Sequence, residues 1–274
     1  MFFDDGIICR STLLCEVPGV CHAFSTRLGG VSTLPHTREM NIAPGHGDPD
    51  GTVTQNIDIL TRAASGGTLG AADAVLTHQI HSTDVRVIGR EERGEGACRA
   101  AGAECDGFAT AEYGVMPIVR TADCVPILLA GLRDDGTPAV AALHAGWRGS
   151  AAGIAAAGVR ALEKLGVSPA AVTAAVGAHI GMCCFEVGED MRDVVRELRG
   201  SRFTERYISE RSGRLYADLS GMNLEFLCDC GVMQTDVSDE CTVCLPEKYH
   251  SHRRGHGLRG TMGSCIAIIG SDHR

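Results

Sequence analysis

Five short segments of almost unbroken apolar character constrain this chain more than any other feature. They are "VMPIVRT" (115–121) and "VPILLAG" (125–131), which flank Asp123-Cys124, and "PAVAALHAG" (138–146), "AVTAAVGAHI" (171–180) and "SCIAIIG" (264–270), bounded by Gly or Pro. Segments this short read as strands. A strand with one wet face alternates apolar and polar residues. These do not alternate, so they call for a sheet covered on both faces. "AVLTHQIHSTDVRVI" (74–88), β-branched and partly alternating, reads as a further strand.

The cover has to come from helices, and three stretches qualify: 149–166, 189–200 and 218–231. The last opens on Asp218 as N-cap and stops at Gly231. The first is rich in Ala and Gly on every face, which implies a neighbour packed very close. Helices and strands mix without regular βαβ alternation. The fold class expected is therefore α/β (α+β), a layered sandwich of mixed sheets with flanking helices. At 274 residues, with no repeat and no convincing linker, the chain reads as a single domain over 1–274. Residues 34–51 and 90–107 read as surface loops, the second charged and rich in Gly and Ala.

Charge and cysteine usage narrow the function. A formal charge of −9 argues against nucleic acid as a partner, since phosphate backbones need a positive surface. The basic, His-rich "HSHRRGHGLRG" (250–260) is the local exception and reads equally well as a solvated loop. No apolar run has membrane-spanning length, and "MFFDDGIICR" lacks the positive start of a signal peptide. A cytoplasmic, membrane-free protein is expected. Its thirteen cysteines are then mostly thiols rather than a disulfide framework. Nothing in the sequence sets an oligomeric state.

"RTADCVPILLAG" (120–131) places Asp123 and Cys124 at the mouth of a buried strand. Catalytic zinc takes three protein ligands from His, Cys and carboxylate and leaves a position for water. "THQIHSTDV" offers His78 and His81; on a strand residues three apart face opposite ways, so only one can join a site. "ALHAGWRGS" (142–150) ends an apolar strand in His144 before a glycine turn. His81, Cys124 and His144 are thus a candidate set at one edge of a sheet. Trp147, the only tryptophan, could wall a cleft there or pack in the core. Arg148 stands beside the start of the Ala-rich helix, a place suited to anions or to a surface ion pair.

Several motifs together resemble the YfiH-like family. They are "HAFSTRLGGVS" (22–32), "HQIHSTDV" (78–85), "TADCVPILL" (121–129), "HAGWRGS" (144–150), "GAHIGMCCFEVG" (177–188), "ADLSGMNLEFLCDCGV" (217–232) and the segment 241–269. They run in order over about 250 residues. This family was formerly labelled multicopper polyphenol oxidase or laccase-domain protein, and is associated with purine nucleoside phosphorolysis and adenosine deamination. The resemblance implies Zn2+ held by His81, Cys124 and His144, and arginines lining the site at Arg27 and at Arg253 or Arg254. It implies small-molecule purine nucleosides and inorganic phosphate as partners, and a layered α/β sandwich as the fold. The sequence departs from the family pattern at Ser82, where Gly is usual after the metal histidine. It departs again at Gly177-Ala178-His179, where Gly-Pro is usual; the change adds a histidine at the expected rim.

A zinc ion with an open position lowers the pKa of water there to about 7, which suits hydrolytic attack on C6 of adenine. Asp123 is the candidate acid for the leaving amine, or else a support for a ligand. It reaches the cleft only if the chain turns between Asp123 and Cys124. Phosphorolysis needs an anion pocket, for which Arg27, Arg148 and Arg253 are candidates. The set of substrates implied is adenosine, inosine and S-methyl-5'-thioadenosine.

Three rival readings stand beside this one. A copper-dependent polyphenol oxidase would use the same His₂Cys set, with copper as the alternative metal, but needs a further histidine-rich copper cluster. A structural zinc site would use Cys228, Cys230, Cys241 and Cys244, although residues i and i+2 of a helix diverge, which favours packed thiols. A thiol enzyme would use Cys124 or the Cys183-Cys184 pair. A related alternative is a zinc-dependent amidase editing serine-containing peptidoglycan precursors. The cytidine-type zinc deaminases are excluded, because neither H-x-E nor P-C-x-x-C is present.

Overall fold

A computed structural model describes residues 1–102 and 104–270. Two six-stranded sheets lie at its centre, and a three-stranded sheet stands apart from them. The first sheet runs in the order Phe2–Asp4, Ile8–Ser11, Val20–Ser25, Met262–Ile268, Met116–Thr121, Ala74–Leu76. The second runs Gln234–Val237, Val167–Val176, Val125–Arg133, Pro138–Ala145, Gly107–Thr110, Val85–Val87. Most neighbours are antiparallel; Ala74–Leu76 with Met116–Thr121, Val85–Val87 with Gly107–Thr110 and Val167–Val176 with Gln234–Val237 are parallel.

The period of two along each strand sorts its side chains into separate cores. Leu128, Ala130, Val140 and Ala142 of the second sheet meet Phe24, Val119 and Ile266 of the first. Val125, Ile127, Leu129 and Leu143 point the other way, onto the helices Ile154–Lys164 and Leu219–Asp229. The helix Asp50–Ser65 covers the outer face of the first sheet through Val53, Ile57 and Leu60. The result is helix, sheet, sheet, helix: the two-sided cover that the unbroken apolar strands require. Each fully buried Leu or Ile in these layers contributes about 1.5–3 kcal/mol.

Several expectations hold and three change, the first being the strand expected over 171–180, which runs instead as Val167–Val176. The strands at 115–121, 125–131, 138–146 and 264–270 form within a residue or two of their expected bounds. Asp218 caps its helix by accepting the Gly221 N–H at 2.8 Å. The expected helix over 149–166 is split into Trp147–Ala152 and Ile154–Lys164, because Gly153 takes the left-handed conformation with φ +90°. The close packing expected of it is present: a Cβ on Gly158 would lie 2.4 Å from Leu143 Cδ1. The expected strand over 74–88 is instead two short strands in different sheets, joined by a loop. The chain needs that loop to cross from the first sheet to the second. Ala103, within the expected loop 90–107, lies outside the described residues. Among the described residues no helix is long and apolar enough to cross a membrane.

Candidate metal centre

The chain crosses between the two large sheets at residues 77–84 and again at 122–124. His81 sits in the first crossing and Cys124 ends the second. Register then brings the third residue to them. Val125 pairs with Ala145, and Pro126 with His144, so Cys124 and His144 lie at the same end of an antiparallel pair. On the other side Gly107 pairs with Leu143, and His144 N–H donates to Asp106 O at 2.7 Å. Nδ1 or Nε2 of each histidine and Sγ of Cys124 fall within 4.8 Å of one another.

The loop around His81 is held by one carboxylate. Asp106, fully buried, accepts N–H from Ile80 at 3.3 Å, His81 at 3.0 Å and Ser82 at 2.6 Å. It also accepts the Ser82 hydroxyl at 2.9 Å and Nδ1 of His144 at 2.8 Å. Ser82, the departure from the family pattern, thus adds one more anchor to the same carboxylate. Donating Nδ1–H to Asp106 leaves the lone pair of Nε2 of His144 for a cation and fixes the ring's orientation, the usual carboxylate–histidine support of a metal ligand. Burial raises the Asp106 carboxyl, but the bonds from His144 and Ser82 outweigh it and bring the pKa to about 2. Burial pushes His144 down, yet Cys124 and Asp106 lift it to about 9. A cation and a proton compete for the same nitrogen of His144. His81 is held below the ordinary histidine range by burial and by His144.

His81 itself has φ +62°, and its ring meets that of His144 edge-on at 4.9 Å between centroids. The imidazole lies against the backbone of Gly146, where a Cβ would come 2.2 Å from Nδ1. The glycine after His144-Ala145 is thus a spatial requirement of the ligand set. Two imidazoles and a thiolate at this spacing suit zinc or copper and leave room for a further ligand.

Asp123 meets the condition set for it: the chain turns there, with φ +94°, and Asp123 and Cys124 both line the adjoining cleft. Both of its oxygens are engaged. Oδ1 accepts the Thr242 hydroxyl at 2.6 Å; Oδ2 accepts the Ser251 hydroxyl at 3.1 Å and Arg253 N–H at 2.7 Å. The carboxylate ties the segment 242–253 to the loop that carries Cys124.

Two recesses flank the ligand set. One, of about 310 Å³, is walled by Trp147, Ile180, Phe185 and Leu219, with His252, Arg253 and Arg259 at its polar side. The other, of about 230 Å³, is polar and includes His46, Gln79, Arg120, Arg259 and Thr261. Trp147 therefore walls the cleft as well as packing against the core. Of the arginines expected from the sequence, Arg253 lines the first recess, with its guanidinium donating to Cys184 O and Glu186 O. Arg27 and Arg148 line neither. Arg27 is spent on the carbonyls of Arg38 and Pro246, and exposed Arg148 stacks on Trp147 at 4.1 Å. Arg254 donates to Thr242, Val243 and Tyr249 carbonyls. His179, expected at the rim, is buried and bonds Gly177 O through Nδ1.

Arg259 borders both recesses, and its buried Nε has no partner within the protein. Sequence reasoning missed it, along with Arg120 and Asp106. Arg259 lies in a stretch that also reads as solvated loop, and Asp106 at the end of a loose Gly/Ala-rich one. The signal that could have found Asp106 is its place directly before the apolar "GFAT" strand.

A family model described as multi-copper polyphenol oxidoreductase laccase matches residues 21–269. The chain belongs to this laccase-domain family, which includes the YfiH-like proteins it resembles in sequence. It is 35% identical over 251 residues to a purine nucleoside phosphorylase of Deinococcus radiodurans, covering 91% of this chain and 89% of that one. Purine nucleoside phosphorylase YlmD of Geobacillus stearothermophilus is 32% identical over 273 residues, covering 95% of this chain and 94% of that protein. The crystal structure of Bacillus licheniformis hypothetical protein YfiH superposes with a TM-score of 0.87 at 27% identity, covering 97% and 98% of the two chains.

Proposed function

We propose that residues 1–274 form one domain acting as a zinc-dependent purine nucleoside enzyme. It cleaves adenosine, inosine and S-methyl-5'-thioadenosine with phosphate, and hydrolytically deaminates adenosine. The observation that carries this is the convergence of His81, Cys124 and His144 beside an aromatic-walled cleft. The names of the relatives place nucleoside and phosphate among the substrates to test first.

Zinc, when bound, supplies an electrophile able to acidify a water molecule in its open position. The chain's own groups supply the rest. Trp147 and Phe185 supply an aromatic wall for a purine, and Ile180 and Leu219 exclude water around it. Arg259, with an unpaired buried Nε, and Arg120 provide the anion pocket in the polar recess, and Arg253 adds charge from the cleft side. Asp123, with three donors on its carboxylate, acts as a positioning residue for Arg253. His252, the one imidazole on the cleft wall outside the ligand set, is placed to carry a proton to the departing amine.

The copper oxidase reading fares worse on a specific point. Electron relay to oxygen needs a histidine-rich copper cluster. Among the described residues the other metal-capable group consists of four cysteines and no histidine. The test is an adenosine assay with and without phosphate, following adenine, ribose 1-phosphate and inosine. Adenine formation that depends on phosphate supports the reading; neither product from zinc-loaded protein contradicts it.

A further inference from the structure

Cys183, Cys184, Cys241 and Cys244 come from two turns more than fifty residues apart, yet their four sulfurs lie within 4.8 Å of one another. This differs from the grouping weighed from sequence. Cys228 and Cys230 stay on and just beyond the helix Leu219–Asp229, and only the C-x-x-C half of that set joins a cluster. Its partner is the vicinal pair Cys183-Cys184.

Three arrangements could gather four sulfurs: apolar packing, disulfides, or a shared cation. Packing does not account for this one, because Cys183 and Cys244 are exposed. Pairwise disulfides would divide the sulfurs into two couples. Instead Cys244 Sγ is nearly equidistant from Cys183 Sγ at 3.7 Å and Cys184 Sγ at 3.5 Å. A tetrahedral zinc with Zn–S bonds near 2.3 Å sets its sulfurs about 3.8 Å apart. The backbone is arranged for a thiolate as well. Gly181 N–H donates to Cys241 Sγ at 3.3 Å, and the N–H groups of Val243 and Cys244 support the same sulfur.

We infer that these four cysteines form a second, structural zinc site, separate from the His81, Cys124, His144 set. Four thiolates around a divalent cation leave a net double negative charge. Two guanidinium groups stand against it: Arg253 donates to Cys184 O at 3.3 Å, and Arg254 to Thr242 O at 2.7 Å and Val243 O at 3.1 Å. The site joins the turn that carries Phe185 to the turn that carries Thr242, the donor to Asp123. Apart from the guanidinium bonds, backbone pairing of His179 with Cys241 is the main link between them. Zinc here would fix one wall of the cleft.

The test is metal content of protein purified under reducing conditions. Wild type should hold two zinc ions per chain, and His81→Ala/Cys124→Ala should retain one. That retained ion, exchanged for cobalt, should show the strong thiolate-to-cobalt absorption of a tetrahedral sulfur site. Cys241→Ser/Cys244→Ser should lose one zinc. Should that variant fail to fold, wild type gives the same answer: exposed Cys183 and Cys244 should resist alkylation until a chelator is added. The inference is overturned if His81→Ala/Cys124→Ala binds no zinc, or if the four thiols of zinc-loaded wild type alkylate freely. A disulfide among them in freshly isolated reduced protein would overturn it too. None of these outcomes depends on nucleoside turnover.

Discussion

Asp106→Asn isolates the support of the metal site from the ligands themselves. The carboxylate accepts five hydrogen bonds and donates none: Oδ1 serves His81 N–H and His144 Nδ1, and Oδ2 serves the N–H groups of Ile80 and Ser82 and the Ser82 hydroxyl. An asparagine of the same shape turns one oxygen into a donor. If the amide nitrogen faces His144, Nδ1 must become the acceptor and the proton moves to Nε2, the atom needed for the metal. If it faces the other way, it opposes two backbone N–H groups and the loop carrying His81 loosens. Loss of such outer support costs 10–100-fold in metal affinity, about 1.4–2.7 kcal/mol. Zinc affinity measured by competition with a chromophoric chelator should fall by that amount, while circular dichroism keeps its native form. Affinity within about twofold of wild type would refute the reasoning, since the exchange of acceptor for donor cannot be neutral if Asp106 orients the ligands.

Further outcomes are expected from other parts of the structure. Gly146→Ala should displace His81 and lower zinc content, because its Cβ would lie 2.2 Å from Nδ1, although a φ of −66° accepts alanine without strain. A full zinc complement in that variant would contradict the close approach. Arg259→Ala should raise the KM for phosphate about 10–100-fold by removing charge-assisted bonds, with a smaller effect on deamination without phosphate; equal losses in both assays would argue against an anion pocket. Burial and Arg10 hold His22 down to about 3, and burial and Arg27 do the same for His250. Both are neutral when folded, whereas the unfolded chain takes up these protons near pH 6.5. Their contribution is whole above about 6.5 and is lost as pH falls toward 3, of the order of 2–3 kcal/mol each by pH 4.5. Denaturation midpoints at pH 7 and 4.5 should therefore converge in His22→Gln relative to wild type; an unchanged difference would show that His22 does not titrate this way.

What the sequence made legible follows from which forces act locally. Strands such as Val125–Arg133 and Pro138–Ala145 are buried on both faces, so their apolar character is continuous and visible. The convergence of Cys124 and His144 was legible for the same reason, since they mark the ends of those strands. Residues 77–84 were misread because their β-branched composition looks like strand, while the sheet-to-sheet crossing that they make is set by tertiary register. Asp106 was hidden because its importance lies in five hydrogen bonds from residues of two other segments. Arg259 lay in a basic stretch that composition alone assigns equally to solvent. The cysteines show the same limit: spacing grouped Cys241 and Cys244 with Cys228 and Cys230 and favoured packed thiols, whereas the fold sets them beside Cys183 and Cys184, more than fifty residues away.

The central claim, that a metal held by His81, Cys124 and His144 carries the nucleoside chemistry, is tested most directly by reconstitution. Wild-type protein, stripped by chelator and titrated with zinc, should regain phosphate-dependent adenosine cleavage as zinc binds. The same titration of Cys124→Ala protein, with Cys241 and Cys244 intact, should restore nothing. Full turnover by the stripped protein, or recovery in the Cys124→Ala protein, would contradict the account.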